Sequence, residues 1–392
     1  MKKLNYLFLL LPLLLVACFH PPTPSVEEAI QNADPNTIVP LRNEITDSYF
    51  RTALPVVHSP ARGLIFDHIH NRADIEQVEM SLLRLATDYF DPELHFFRQG
   101  QHLTRDFVSQ LLRHQNPEPI YDAESRIGLN PEIGATIAFE GQTFENSTDN
   151  LIRPLAYIVE QNFVTITDDN QFELEGIAIA IALNPFYLEV DTTIGFEHMH
   201  EMSEEAILEF GKEIAANLLP LLREHDEVDG LEEVPILIGL YILRSNRAIL
   251  PGHFASLTYL EEGRSLIREW TNVYERHFSL PDRTNSIHVH DVDINDQFNT
   301  LKDTINNYFP HSNGIIGRAH FVNNNVYRIS ITFNMHFLGA AERLAFFQLL
   351  EEHVTNFSQE YNVNIVVRNF ETILGTVNRP PNGEVMVQLV DW

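Results

Sequence analysis

The chain has 392 residues, 44% of them hydrophobic and 21% charged, which supplies enough apolar chain for two or three packed domains and excludes wholesale disorder. With 26 basic residues against 55 acidic ones the net charge is −29, a field that repels phosphate backbones and argues against a nucleic-acid partner. The same field disfavours docking on anionic lipid, so membrane attachment must come from apolar contact or covalent lipid.

Lys2 and Lys3 open the chain, and an apolar run from Leu4 to Ala17 follows, interrupted by Asn5 and Pro12. Fourteen residues of helix span about 21 Å, short of the roughly 30 Å hydrocarbon core. The run therefore reads as a signal peptide over 1–17. Leu15 at a cleavage flank argues against the ordinary signal peptidase. The tetrad Leu15-Val16-Ala17-Cys18 resembles the lipobox of bacterial lipoproteins, in which the thiol is diacylated and the peptide is cut just before it. Cys18 is the only cysteine of the chain, which excludes an intramolecular disulfide and a thiolate metal cluster. Two acyl chains hold a membrane stably where one does not. Residues 18–44 then form a lipidated cysteine and a Pro-rich tether, with His20-Pro21-Pro22-Thr23-Pro24 extended by composition.

A capping-box pattern at Asp74 to Gln77 starts a helix with Ile75, Val78, Leu82, Leu85 and Ala86 on one stripe, which Asp91-Pro92 is expected to end. A second helix starts at Thr104 and carries Phe107, Val108, Leu111 and Leu112. A third short helix is expected near Asn150 to Gln161. Val164 to Thr167, the turn Asp168-Asp169-Asn170 and the run from Phe172 read as a β-hairpin. The alternation Ile177-Ala178-Ile179-Ala180-Ile181-Ala182 fits a strand covered on both faces. Ser203 caps a long helix through Leu222, and strands follow over Val234–Leu243 and Phe254–Leu260. Pro281-Asp282-Arg283 marks a boundary, giving an N-terminal α+β domain over 45–282 and a C-terminal one over 283–392. The latter reads α-β-β-α-β-β: a helix near Asn295 to Tyr308, strands at Ile315–Val322 and Tyr327–Phe333, a helix over Ala340–Phe357, and strands near Val363–Val367 and Val385–Val390. The expected fold is thus a two-domain α+β body, the second domain loosely ferredoxin-like, with helices packed on mainly antiparallel sheets.

Histidine is abundant at 18 residues, and three His-x-His pairs occur: His68/His70, His198/His200 beside Glu197, and His288/His290 before Asp291. On a strand such a pair presents two imidazoles on one face to Zn²⁺ or Cu²⁺. No third ligand can be placed from sequence, so the pairs read as solvated side chains and no metal or other cofactor is expected. The acidic doublets, such as Glu204-Glu205 and Glu351-Glu352, sit on solvated helix faces. No nucleophile elbow, P-loop, dinucleotide fingerprint or His-Glu-x-x-His occurs, and nothing nominates an enzyme or a catalytic residue.

Ordered stretches across the body resemble the CamS family, the sex-pheromone-precursor lipoproteins of Gram-positive bacteria. They are Ala61-Arg62-Gly63-Leu64-Ile65, Asn71-Arg72 with Asp74, Phe97 to Leu103, Gly128-Leu129-Asn130-Pro131, Tyr157 to Val164 and Ile181-Ala182-Leu183-Asn184, then Val234-Pro235-Ile236, Pro251-Gly252-His253-Phe254, Tyr308-Phe309-Pro310, Gly314-Ile315-Ile316-Gly317 and Phe337 to Glu342. The resemblance implies a protein held on the outer face of the cell membrane by diacylglyceryl-cysteine, matured by a signal peptidase and lipoprotein-processing enzymes. It also implies a peptide pheromone cut from the leader, here Leu11-Pro12-Leu13-Leu14-Leu15-Val16-Ala17 or one residue longer, read by a receptor on donor cells to draw plasmid transfer. The mature body has no role assigned by the resemblance. The alternatives are an extracellular peptide-, glycan- or metal-binding lipoprotein, with a groove lined by Tyr157, Phe186 and Tyr187, or a hydrolase whose nucleophile and base converge in one cleft.

Overall fold

A computed structural model describes residues 38–40, 49–115, 127–191, 196–224, 226, 228–284, 286–291, 293–310, 314–337 and 339–390. The signal peptide, Cys18 and most of the tether lie outside the described residues. Within them, no helix is long and apolar enough to cross a membrane.

The main elements run in chain order as α1 (Arg72–Ala86), β1 (Phe96–Gln99), α2 (Arg105–Leu111), the hairpin β2 (Thr136–Phe139) and β3 (Gln142–Glu145), β4 (Leu155–Ile166) and β5 (Phe172–Leu183). The hairpin β6 (Phe186–Asp191) and β7 (Phe196–Glu201) follows, then α3 (Glu204–Glu224), β8 (Ile236–Ile242), β9 (His253–Leu260) and β10 (Thr271–Asn272). The remainder is β11 (Glu275–Leu280), α4 (Ile294–Tyr308), β12 (Gly314–Val322), β13 (Asn325–Asn334), α5 (Ala340–His353), β14 (Val363–Asn369), β15 (Thr372–Arg379) and β16 (Met386–Leu389).

Two six-stranded sheets organise these elements. The first has the order β10-β9-β8-β5-β4-β1, antiparallel except where β8 runs parallel to β5. Ile177 through Leu183 are fully buried, as the unbroken apolar run demands. The isoleucine side of β5 faces α3, where Leu183 and Leu240 fill the space over Gly211. The alanine side faces α1, since Tyr241 stands level with Ala182 and reaches Asp74 of that helix. Alternating large and small side chains thus set two different helix-to-sheet distances on one strand.

The second sheet keeps strictly sequential order, β11 through β16, with only β13 and β14 parallel and joined through α5. It therefore departs from the ferredoxin-like strand order expected, although the helices do pack on one face. Phe298, Leu301 and Ile305 of α4 and Phe346, Phe347 and Leu350 of α5 share a core with Ile329, Ile331 and Phe333 of β13. This sheet opens at Glu275, upstream of the 282/283 boundary read from the sequence.

Three expectations change. The segment expected as a helix near Asn150 to Gln161 is strand from Leu155 onward, because β4 is central and buried on both faces and so lacks period-2 alternation. Helix α1 is capped by Asn71 rather than Asp74. Asn71 Oδ1 accepts from the Ala73 N–H at 3.0 Å while its amide holds the Ser245 and Ala248 carbonyls, and the helix ends at Ala86 before Asp91-Pro92. The C-terminal series also gains β11 and β15. By contrast α2 is capped by Thr104 and α3 by Ser203 as expected, and the Asp168-Asp169-Asn170 turn closes the β4–β5 hairpin.

The cap shift leaves Asp74 in the first turn of α1, fully buried. It accepts from the Tyr241 hydroxyl at 2.9 Å, from the Arg244 N–H at 3.0 Å and from the Gly252 N–H. A Cβ on Gly252 would lie 1.9 Å from the Ile242 carbonyl oxygen. Gly252→Ala is therefore expected to destabilise the fold by about 2–4 kcal/mol, read as a lowered urea midpoint at unchanged m value.

Candidate functional site

Strand β11 alternates in the manner of a half-buried strand. Phe278 and Leu280 turn to the second core, while Glu275 and His277 turn toward the first sheet. Antiparallel pairing with β12 places His277 opposite His320. Glu275 is fully buried and accepts four hydrogen bonds from both halves of the molecule. Its Oε1 accepts from Ser81 Oγ at 2.8 Å and Arg84 Nη2 at 2.9 Å, both on α1, and from His320 Nε2 at 2.8 Å. Its Oε2 accepts from the Phe254 N–H of β9 at 3.0 Å. Burial alone would push this carboxyl up, but the bonds from His320, Arg84 and Phe254 outweigh it and hold the group at about 2.

His277 and His320 stack with ring centroids 4.1 Å apart. Burial, reinforced by the facing His320, depresses His277 to about 2, and burial also lowers His320 against the opposing pull of Glu275. Both rings are thus neutral at ordinary pH. Neither ring nitrogen of His277 has a hydrogen-bond partner among the described residues.

Glu275, His277 and His320 bring their ligand atoms within 4.8 Å of one another, as a His₂Glu metal set would, and no other group of three among the described residues does so. The chemistry does not fit a cation. Both Glu275 oxygens are already engaged, one against the Arg84 guanidinium, and His320 directs its proton at the carboxylate. The imidazoles lie only 24° from parallel, so their lone pairs do not converge. The cluster is a lock between the two sheets.

The expected His-x-His pairs lie elsewhere. His198 and His200 do share a strand face on β7, with rings 4.5 Å apart, and His200 Nε2 meets Glu189 at 2.9 Å, while Glu197 pairs with Arg247. His68 ends a short helix, and His70 is separated from it by the buried Ile69. His288 belongs to a 3₁₀ turn, and His290 packs against Phe278. The aromatics expected to line one groove are separately engaged. Tyr157 is buried with its hydroxyl donating to the Ala61 carbonyl, and Tyr187 packs on Phe139, Phe144 and His200. The concavity at the sheet junction is instead a cleft of about 530 Å³ between Arg244 and Leu250 of the first unit and residues of the second from His277 to Thr284 together with Ser286.

Several stretches singled out in the sequence prove to be joints. The Phe97–Leu103 and Tyr157–Val164 stretches meet where the Glu160 carboxylate accepts the N–H groups of Gln101, His102 and Leu103 at 2.8–3.2 Å. The Asn130 side chain binds the Leu112 and Leu155 carbonyls and the Leu155 N–H.

Among known proteins, the family model described as CamS sex pheromone cAM373 precursor matches residues 56–384. The fold is similar to the crystal structure of a sex pheromone precursor from Lactobacillus salivarius subsp. salivarius, with TM-score 0.76 and 20% identity, covering 91% of this chain and 99% of that one. It is also similar to the C-terminal domain of the sex pheromone staph-cAM373 precursor from Staphylococcus aureus, with TM-score 0.67 and 21% identity, covering 84% and 100% of the two chains. At these identities the likeness is one of fold. No curated protein matches.

The lock carries a pH signature. Native His277 and Glu275 both sit below their ordinary values of 6.5 and 4.5, so on acidification the unfolded chain takes up protons that the folded one refuses. Stability is then complete above pH 6.5 and falls below it, His277 contributing first and Glu275 joining below pH 4.5. His277→Phe should flatten the fall between pH 6 and 4.5 by about 1.4 kcal/mol per pH unit, one proton's share, in urea unfolding at stepped pH. An unchanged slope would show that His277 titrates freely.

Proposed function

The chain belongs to the CamS family, and from that premise we propose that it is a surface lipoprotein of the pheromone-precursor type, anchored at Cys18 and carrying a signalling peptide in its leader. The observation that carries the anchor is the placement of the chain's one cysteine directly after Leu15-Val16-Ala17 and a 14-residue apolar run. A body of charge −29 gains nothing from an anionic bilayer, so attachment falls to acyl chains, and two of them suffice. The Pro-rich segment after Cys18 separates the acidic body from the headgroups.

On this reading the leader has two uses. It directs export, and its last residues, Leu11-Pro12-Leu13-Leu14-Leu15-Val16-Ala17, leave as a short peptide. That peptide has no charged side chain, and Pro12 restricts its conformations, which suits an apolar receptor groove on a donor cell. The partners are the lipoprotein-processing enzymes, the bilayer of a Gram-positive cell and the receptor that answers with conjugation. The body acts as a non-enzymatic module. The family is one of pheromone precursors rather than an enzyme class.

Mass spectrometry of membrane fraction and culture supernatant tests both products. The expected results are a diacylated N-terminus at Cys18 in the membrane and a peptide ending at Ala17 outside it. Cys18→Ala should leave an uncleaved precursor or release the body. A bare cysteine in a freely diffusing protein would contradict the anchor, and absence of any leader-derived peptide would contradict the signal.

A further inference from the structure

The cleft at the sheet junction reverses the charge balance of the chain. The chain as a whole carries about two acidic residues for each basic one, yet this cleft is lined by Arg244 and Arg283 against a single carboxylate, Asp282. That carboxylate is committed to its own loop. Its oxygens accept from the Thr284 N–H and hydroxyl, from the Ser286 hydroxyl and from the Ile287 N–H at 2.6–3.1 Å. Neither Arg244 nor Arg283 makes a side-chain hydrogen bond or ion pair among the described residues.

A third guanidinium stands at the edge. Arg318 is the cross-strand partner of Ser279, which lines the cleft, and it projects from the same sheet face as His277 and His320. It is half-buried and has no ion pair among the described residues, and its neighbour Arg328 is of like charge. At the back of the cleft is His277, 7% exposed, with both ring nitrogens unpartnered. A buried imidazole N–H without an acceptor is a cost that native structures rarely carry, and His277 is one of the residues that line this cleft.

We propose that this cleft is a binding site for the oxyanion of a ligand, a carboxylate or phosphate group held by Arg244, Arg283 and the His277 ring beside Ser279, with Arg318 at the edge. Guanidinium pairs are the geometry that carboxylate and phosphate oxygens favour, and the volume admits a molecule larger than a bare ion, with Leu250 as an apolar wall. The site draws on both halves of the molecule, so Glu275, two residues from His277, fixes its shape. The inference is independent of lipid anchoring and of the fate of the leader.

The test is calorimetric and thermal-shift titration of the detergent-solubilised full chain at constant ionic strength. The probes are inorganic phosphate, an N-acetylated dipeptide with a free carboxylate, and the same dipeptide as its carboxamide. Saturable binding of phosphate or of the free carboxylate, with the carboxamide inert, supports the site and says which oxyanion it takes. Arg244 is exposed and makes no side-chain bond, so Arg244→Ala should fold normally and weaken binding about tenfold, as should Arg283→Ala. Arg264→Ala, on a distant exposed turn, should change nothing. Equal response to the carboxamide, no saturable response to any probe, or equal binding by the Arg244→Ala/Arg283→Ala double variant would overturn the proposal. Stoichiometric zinc uptake lost in His277→Phe would overturn it in favour of a cation.

Discussion

One buried carboxylate holds the two sheets together. Glu275 starts the first strand of the second sheet, yet its four hydrogen bonds reach back to α1 and to β9 as well as across to β12. Desolvating such a group is expensive, and it remains ionised only because four donors face it, one of them the Arg84 guanidinium. An arrangement of this kind is all or none. Removing the Arg84 guanidinium leaves the buried carboxylate without its counter-charge, at about 3–5 kcal/mol, so the sheets have a strong reason to stay in one relative position.

The same device recurs on a smaller scale. Asp74 ties α1 to the β8–β9 connection, and Glu160 ties β4 to the loop entering α2. In a chain with 55 acidic residues most carboxylates keep the surface solvated, while a few are drawn inside as acceptors for backbone N–H groups that loops would otherwise leave unpaired. The tight glycines belong to this plan. Gly100 has no room for a Cβ beside the Glu160 side chain, and Gly252 has none beside the Ile242 carbonyl. Fixing Arg244 through its own N–H to Asp74, and His277 through its neighbour Glu275, also places the walls of the junction cleft.

Much of the fold was legible in the sequence because its signals are local. The Ile-Ala alternation of β5, the Thr104 and Ser203 caps and the Asp168-Asp169-Asn170 turn each express their structure within a few residues. Leu155 to Gln161 misled because a strand buried on both faces has no alternation. The lock was not legible. Glu275-x-His277 alternating with Phe278-x-Leu280 is a sound strand signal, but His320 lies 43 residues from His277 and only the β11–β12 register brings them together. The His-x-His pairs drew notice by spacing, whereas the histidines that matter are paired across strands.

Differential scanning calorimetry of the wild type beside Glu275→Ala measures the coupling most directly. If this carboxylate joins the two sheets, the wild type unfolds in one transition whose calorimetric and van't Hoff enthalpies agree, and the variant resolves into two. A single unshifted transition in Glu275→Ala, or two transitions already present in the wild type, would contradict it.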